Sequence, residues 1–422
     1  MKSAALPLAV LAIAFATELR LPAQTSAQWA ASGKSLKASG DAAGALEAFQ
    51  KAAALNPKSG ALQDEVGFLL AVLRRQDEAI SCFERAVSLE NTYAPAHFHL
   101  GVALWLRHDQ ERAVTALQQA VKLAPGNVEY RLRLASMLYE TNQDSEAIQQ
   151  LKAAVAIDPR RADLWHLSGL VQQRRGDRTA ARDAFQRAVD LAPNEASYRN
   201  NLGLALVDAG AADRGIAEFR KILQQDSKDR TARINIGYAY LQRGDYDLAL
   251  DQFRALLAED PESAIVHYDL GLALKQKDQL DPAKAEFREA VRLQPDMAEA
   301  HYTLGVTAWQ DGDFDQMIEA MRGAIRANPR YAEAHYMLGT GLKQKGELTE
   351  AAAALKEAIR LNPNTPGPYN TLAQVLQAQG NTDGARQLFA QAAEVKRKGE
   401  SEQARRLGTA GPASRAVPNA RH

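Results

Sequence analysis

Three histidines stand at a constant interval. His267, His301 and His335 open the stretches HYDLG, HYTLG and HYMLG, and 34 residues separate each from the next. Imidazole is a common metal ligand, so an even series of histidines points either to a metal site or to one structural unit copied along the chain. Two other motifs raise chemistry. His97 and His99 lie two residues apart, and Gly33-Lys34-Ser35 has the form that ends a phosphate-binding loop. Cys82 is the one cysteine, so no intramolecular disulfide can form.

None of these groups lies on an element that suits its chemistry. A phosphate loop needs a glycine five residues before Gly33 and a preceding strand, but Gln28 stands at that place. On a helix, His97 and His99 point to different faces, unlike the i, i+4 histidine pair of a metalloprotease. If the three evenly spaced histidines sit on equivalent stacked helices, neighbouring axes are ~8 to 10 Å apart. Ligands of one zinc must each lie ~2 Å from the ion, so the three cannot share it. Gly-x-Ser-x-Gly, His-Glu-x-x-His, Cys-x-x-Cys and Gly-x-Gly-x-x-Gly do not occur. The expectation is a protein that is not an enzyme, with no cofactor, no metal and no catalytic residue.

The elements that must carry these residues follow from the period itself. Pro57, Pro125, Pro159, Pro193, Pro261, Pro295, Pro329 and Pro363 fall on one 34-residue grid, with Asn91, Ser227 and Arg397 in the remaining slots. Units starting at Ser26, Gly60, Ala94 and onward give eleven repeats over residues 26–399. Position 8 of the unit is Gly in all repeats but two, where Ala135 and Ala373 stand. Positions 20 and 27 are mostly Ala, and position 24 is usually Phe or Leu, as at Phe49, Phe83, Phe185, Phe219, Phe253, Phe287 and Phe389.

Each unit reads as two antiparallel helices. In repeat 9, Ala300, Leu304, Thr307 and Ala308 recur at helical spacing, Gly312-Asp313 interrupts, and Ile318, Met321 and Ile325 resume the pattern. Gly at position 15 (Gly40, Gly176, Gly210, Gly244, Gly312, Gly346, Gly380) can take the left-handed conformation that closes the first helix. Asp41, Asp177, Asp245 and Asp313 can then cap the second, and the proline stops it. Small residues at positions 8, 20 and 27 let the helices approach while the position 24 side chain fills the gap. One pair leaves an apolar face that only the next pair can bury, so the fold class is an all-α solenoid.

Lys plus Arg and Asp plus Glu are equal at 51 each, which gives no overall field for nucleic acid or an anionic membrane. Lys2 precedes an apolar run, Ala4 to Ala16, that is shorter than the ~18 to 20 residues of a membrane-spanning helix. Residues 1–25 therefore read as an export signal, with small-residue cleavage sites after Ala16, Ala23 or Ala27. The expected location is the periplasm or outside the cell; the alternative is an uncleaved N-terminal anchor, the one route to a membrane. Residues 400–422 are rich in Ala, Gly, Pro and Arg and read as a short capping helix followed by a disordered tail.

With an aromatic at position 4 (Trp29, Trp165), Leu-Gly at 7 and 8, Ala at 20, Phe at 24, Ala at 27 and Pro at 32, the chain resembles the tetratricopeptide repeat family. That resemblance implies a right-handed superhelical solenoid of helix-turn-helix repeats, with the histidines of the three HY stretches in the position 4 slot between helices. Repeat 6, residues 196–229, departs most through Gly215, Ile222 and Ser227, and a softer joint or subdomain boundary is expected near 210–230. The family's inner groove is lined by positions 2, 5, 6, 9, 12 and 13 of the first helices. Carried onto this chain, position 6 supplies Asn201, Asn235, Asp269 and Thr303, similar to part of the asparagine ladder in the repeat half of O-linked N-acetylglucosamine transferases. The same groove would display Tyr238, Tyr268, Tyr302 and Tyr336 with Lys275, Trp309 and Lys343, and nearer the N-terminus Phe98, His99, Trp105 and Tyr139. Position 5 holds no Lys, which disfavours the family's clamp for acidic chain termini.

The function that follows is a non-catalytic protein-protein interaction scaffold holding an extended peptide or protein segment in its groove. An accessory subunit of an envelope assembly or polysaccharide-export enzyme, bound through its convex face, is the alternative. The expected partner is a protein segment and not nucleic acid, and self-association stays open.

Overall fold

The structure, a computed structural model, describes residues 24–409, with side chains through residue 402. Nearly all of the expected export signal, and the tail beyond residue 409, lie outside the described residues. Among the described residues there are 22 helices and no strand, divided into two compact units between Pro193 and Asn194. The division falls immediately ahead of repeat 6.

The first unit holds repeats 1 to 5 as the pairs α1 (Ser26–Ala38) and α2 (Ala42–Leu55), α3 (Gly60–Val72) and α4 (Gln76–Leu89), α5 (Ala94–Leu106) and α6 (Gln110–Leu123), α7 (Val128–Glu140) and α8 (Asp144–Ile157), α9 (Ala162–Arg174) and α10 (Arg178–Leu191). The second holds repeats 6 to 11 as α11 (Ala196–Asp208) and α12 (Ala212–Gln225), α13 (Arg230–Arg243) and α14 (Tyr246–Glu259), α15 (Ala264–Gln276) and α16 (Leu280–Leu293), α17 (Ala298–Gln310) and α18 (Phe314–Ala327), α19 (Ala332–Lys345) and α20 (Leu348–Leu361), α21 (Pro366–Ala378) and α22 (Thr382–Thr409). The last helix runs past the repeat register, through residues 400–409.

One device closes every first helix. Position 15 has positive φ in all eleven repeats, seven times as the expected glycine and four times as Arg74, His108, Asn142 and Asp278. In each, the N–H at position 16 reaches back five residues, as in Asp41 to Leu36 and Arg75 to Leu70. Carbonyls that the helix end would leave unpaired are thereby satisfied. A β-carbon is strained in this conformation, so Arg74→Gly is expected to raise stability by up to about 1 kcal/mol in urea unfolding, despite glycine's greater freedom in the unfolded chain.

Position 16 starts the second helix. Asp41, Asp177 and Asp313 accept from the N–H three residues on, at 2.8, 3.1 and 2.9 Å. Asp245 departs from the expected capping role. Its carboxylate is taken by the guanidinium of Arg243, which comes from the end of the preceding helix, so α14 has no side-chain cap.

Glycine at position 8 lies directly under the position 24 side chain. A β-carbon built on Gly169, Gly203, Gly237 or Gly271 would fall 2.3 to 2.6 Å from the ring of Phe185, Phe219, Phe253 or Phe287. Those rings are fully buried, so they have no room to give. In repeat 11 the small residue is Ala373, and its partner Phe389 is 39% exposed. The methyl of Ala373 occupies space that glycine leaves for a ring, and α22 is the last described helix. In repeat 6, Gly215 stands where Ala is usual because a β-carbon there would lie 2.5 Å from Val207 Cγ2, and Ile222 is buried.

The histidines of the HY stretches join consecutive repeats. Nε2 of His267, His301 and His335 donates to the carbonyls of Pro261, Pro295 and Pro329 at 3.0, 3.1 and 3.1 Å. His97, Arg131, Trp165 and Tyr369 make the same bond six residues back, at 2.8 to 3.1 Å. Gly323 leaves the ring of His301 its place, since a β-carbon there would meet Nδ1 at 2.4 Å. In these seven repeats position 4 holds a flat or long side chain with a donor at its tip.

Candidate binding faces of the two units

First helices of neighbouring repeats touch one another: α3 with α5 and α7 with α9 in the first unit, and α11 with α13, α13 with α15, α17 with α19 and α19 with α21 in the second. Second helices of neighbouring repeats do not pack as closely, so each unit presents a continuous first-helix face. The expected groove residues all lie on first helices.

In the first unit this face is aromatic and apolar. His99 donates or accepts at Nδ1 with Asp64 Oδ1 at 2.8 Å, and the rings of Phe68, Phe83 and Phe98 stand 5.6 Å from its own. Phe98 stacks on Tyr130 at 4.6 Å. Trp105 packs half-buried against the core. Tyr139 is covered by the guanidinium of Arg174, 3.8 Å from its ring centre, which also pairs with Asp144. Phe98 and Trp105 thus serve the core with one side and offer the other, while Tyr139 lies between the core and Arg174.

The second unit's face is polar. Asn235, 9% exposed, donates from Nδ2 to Asn200 Oδ1 at 3.0 Å, a rung between α11 and α13. Asn201 is half-buried. Tyr238 donates to Asp208 at 3.3 Å, and burial, with the Asp208 carboxylate second, pushes its hydroxyl up to about 12. The hydroxyls of Tyr268 and Thr303 meet at 3.4 Å, linking α15 to α17. The Tyr302 ring lies 5.0 Å from that of Tyr331, and Tyr336 packs over Gly367. Lys343 donates to Gln374 at 2.7 Å.

Three candidates are left with something to offer. Trp309 is 45% exposed. Lys275 is half-buried with no ion-pair partner among the described residues, and burial lowers its ammonium from the ordinary value. Asp269 is only 6% exposed and has no hydrogen bond or ion pair among the described residues. Burial alone pushes its carboxyl up to about 7. Its oxygens are not wholly sealed from the surface, so the carboxylate is free to accept from a donor that approaches from outside the fold.

Sequence reasoning that followed aromatic and amide side chains missed Phe68, Val72, Val102 and Leu106, at positions 9 and 13 of repeats 2 and 3, and Arg133 at position 6 of repeat 4. The available signal was large apolar residues at groove positions, with Val72 and Leu106 exposed by 53% and 62%. Among the described residues no three His, Cys, Asp or Glu side chains come together as a metal site would require. No helix there is long and apolar enough to cross a membrane.

Comparison with known proteins gives the same pattern. A family model described as tetratricopeptide repeat matches residues 67–127, 167–230, 234–296, 276–316 and 302–366, and a second with the same description matches 104–171 and 342–408. No curated protein matches the chain. Among solved structures, a tetratricopeptide repeat protein from Parabacteroides merdae is 15% identical, covers 59% of this chain and 98% of its own, and superposes with a TM-score of 0.55, which shows a shared fold. MamA is 27% identical over 39% of this chain and 97% of its own, with a TM-score of 0.38. YrrB, described as a TPR protein with an unusual peptide-binding site, is 23% identical over 44% and 95%, with a TM-score of 0.36. With the family model matched over more than half of its length, and with glycine seated under the position 24 ring in repeat after repeat, the chain belongs to the tetratricopeptide repeat family.

Proposed function

We propose that this protein-interaction scaffold is non-catalytic, is exported to the periplasm or beyond, and binds an extended segment of another protein along its first-helix face. The observation that carries the reading is Asp269. It stands in register with Asn235 and Thr303, and of the three it alone has no internal partner. A backbone N–H of an extended segment laid across α13, α15 and α17 is a donor suited to it. Trp309 adds an exposed aromatic on the same face. Because the helices are packed before the partner arrives, the cost of ordering falls on the ligand.

The test is capture of a partner from a cell-envelope extract by the wild-type chain and by a Trp309→Ala, Asn235→Ala, Asp269→Ala triple variant. Capture should fall at least about tenfold while the helical circular dichroism is kept, the loss expected when a central aromatic anchor and its polar neighbours are removed. Undiminished capture contradicts the reading. For export, the N-terminus of the mature chain should follow Ala16 or Ala23. Cleavage after Ala27 would remove Thr25, whose side chain and Gln28 form the capping box of α1.

A second reading, an accessory subunit bound through the second helices, has one observation in its favour. A cavity of about 480 Å³ opens between α18, α19 and α20, with Ile325, Leu338 and Leu342 in its walls. Arg322 and Glu350 at its rim already pair with each other, which leaves less free to bind there than at Asp269.

A further inference from the structure

The first unit's face contains a cavity of about 360 Å³ between α3 and α5, bordered by α7. Phe68, Val72, Phe98, Val102 and Leu106 form its walls, and the ring of His99, fixed by Asp64, belongs to its floor. Gln76, at the start of α4, adds an amide oxygen with no hydrogen-bond partner. Val72 and Leu106 hold more than half of their surface in the open although every helix around them is packed, so the fold does not need them there.

Charge decides what fits. Arg133 of α7 stands exposed at the cavity, with no hydrogen bond or ion pair among the described residues. Most carboxylates of the surrounding helices are engaged elsewhere: Asp64 with His99, Glu65 with Lys37, Asp77 with Arg107, Glu78 with Arg75, Glu84 with Arg112 and Glu129 with Arg161, while Glu140, at the far end of α7 seven residues from Arg133, does not pair with it. The cavity therefore offers apolar walls beside one cation that lacks an anion.

We propose that repeats 2 to 4 carry an anchor pocket for an internal acidic segment of a partner protein, which places one large apolar side chain between α3 and α5 and a neighbouring Asp or Glu on Arg133. The volume suits an aromatic or aliphatic side chain with the main chain around it. An internal segment fits better than a chain end, because Trp105 continues the row beyond the cavity and gives the ligand surface on which to run on. This rests on the reading that the first-helix face binds a segment, and it names the chemistry of that segment.

The probe is a library of short random peptides displayed on phage and selected on the full chain. Enriched peptides should pair Leu, Phe or Trp with a nearby Asp or Glu. A synthetic peptide of that sequence, amidated at its C-terminus to remove the terminal charge, should bind in fluorescence anisotropy. Arg133→Glu should weaken it about tenfold, and a peptide with Lys in place of the acidic residue should recover affinity for Arg133→Glu. Leu106→Asp should weaken both. These side chains are exposed, so both variants should keep the wild-type circular dichroism.

Absence of enrichment, enrichment without the apolar-acidic pair, or affinity unchanged by both substitutions overturns the pocket. Binding lost only on Trp309→Ala overturns the pocket and leaves the groove reading standing. Peptide binding that resists all three substitutions contradicts both. Dependence on a free C-terminus would transfer the site to chain ends and overturn the internal segment.

Discussion

Phe253→Ala should lower the free energy of unfolding by about 3 to 5 kcal/mol, the range for emptying a fully buried aromatic site. Phe253 is 0% exposed and rests on Gly237, where a β-carbon would lie 2.5 Å from Cε1 of the ring. The pair makes a second, sharper expectation. Gly237→Ala alone should destabilise the chain, because the overpacking of a rigid ring, about 1 to 3 kcal/mol, exceeds the ~1 kcal/mol that alanine gains as a helix former. In a Phe253→Ala background the same change should be neutral or favourable, since the space is empty. A double-mutant cycle by urea unfolding reads the coupling, and a value near zero would separate the glycine from the ring. In a solenoid each repeat contacts only its neighbours, so amide exchange should rise most in repeats 6 to 8.

Asp269→Asn should make the chain more stable above pH 7 and leave it nearly unchanged near pH 4. The carboxyl has no donor and burial pushes it up to about 7, against 3.8 for the free side chain. Between those values the folded chain holds a proton that the unfolded chain has released. Stability therefore falls as pH rises from about 4, and the full cost is present above about pH 8. At ~1.4 kcal/mol per pH unit the difference is up to about 4 kcal/mol. Urea midpoints of the two chains across pH 4 to 9 check it, and parallel curves would show that Asp269 finds a donor within the fold. A bound segment that donates to the carboxylate should remove the same cost, which ties this residue's instability to its use.

The fold was legible because each repeat states the same steric rule. Proline at 32 stops a helix, glycine at 15 turns the chain, and glycine at 8 makes room for the ring at 24. Eleven copies made those rules readable above local noise. Asp245 was misread because a cap needs a free carboxylate, and the competitor, Arg243, binds it from the preceding helix end. The four left-handed residues other than glycine were missed because glycine was taken as the marker: His108, Asn142 and Asp278 enter that region more readily than most residues, and at Arg74 the repeat's geometry imposes it.

The binding faces were legible only in part. Repeat register placed Asn235, Asp269 and Thr303 on one line, but not that Asn235 would be bonded to Asn200 and Asp269 to nothing. Such partners come from position 5 or 6 of an adjacent repeat, and which pairs meet depends on side-chain reach that spacing does not encode. The apolar cavity of the first unit was missed because Val72, Val102 and Leu106 read as ordinary helix residues until their exposure was known.

The central claim is that partner protein lies along first helices. A photoreactive phenylalanine analogue placed at Trp309 or Leu106, and in separate chains at Leu55 or Leu89 near the ends of second helices, tests it by position. Crosslinks to a partner segment from the Trp309 and Leu106 positions, with none from Leu55 and Leu89, are the expected result. Crosslinks confined to Leu55 and Leu89 would contradict the account and move the interface to the second helices.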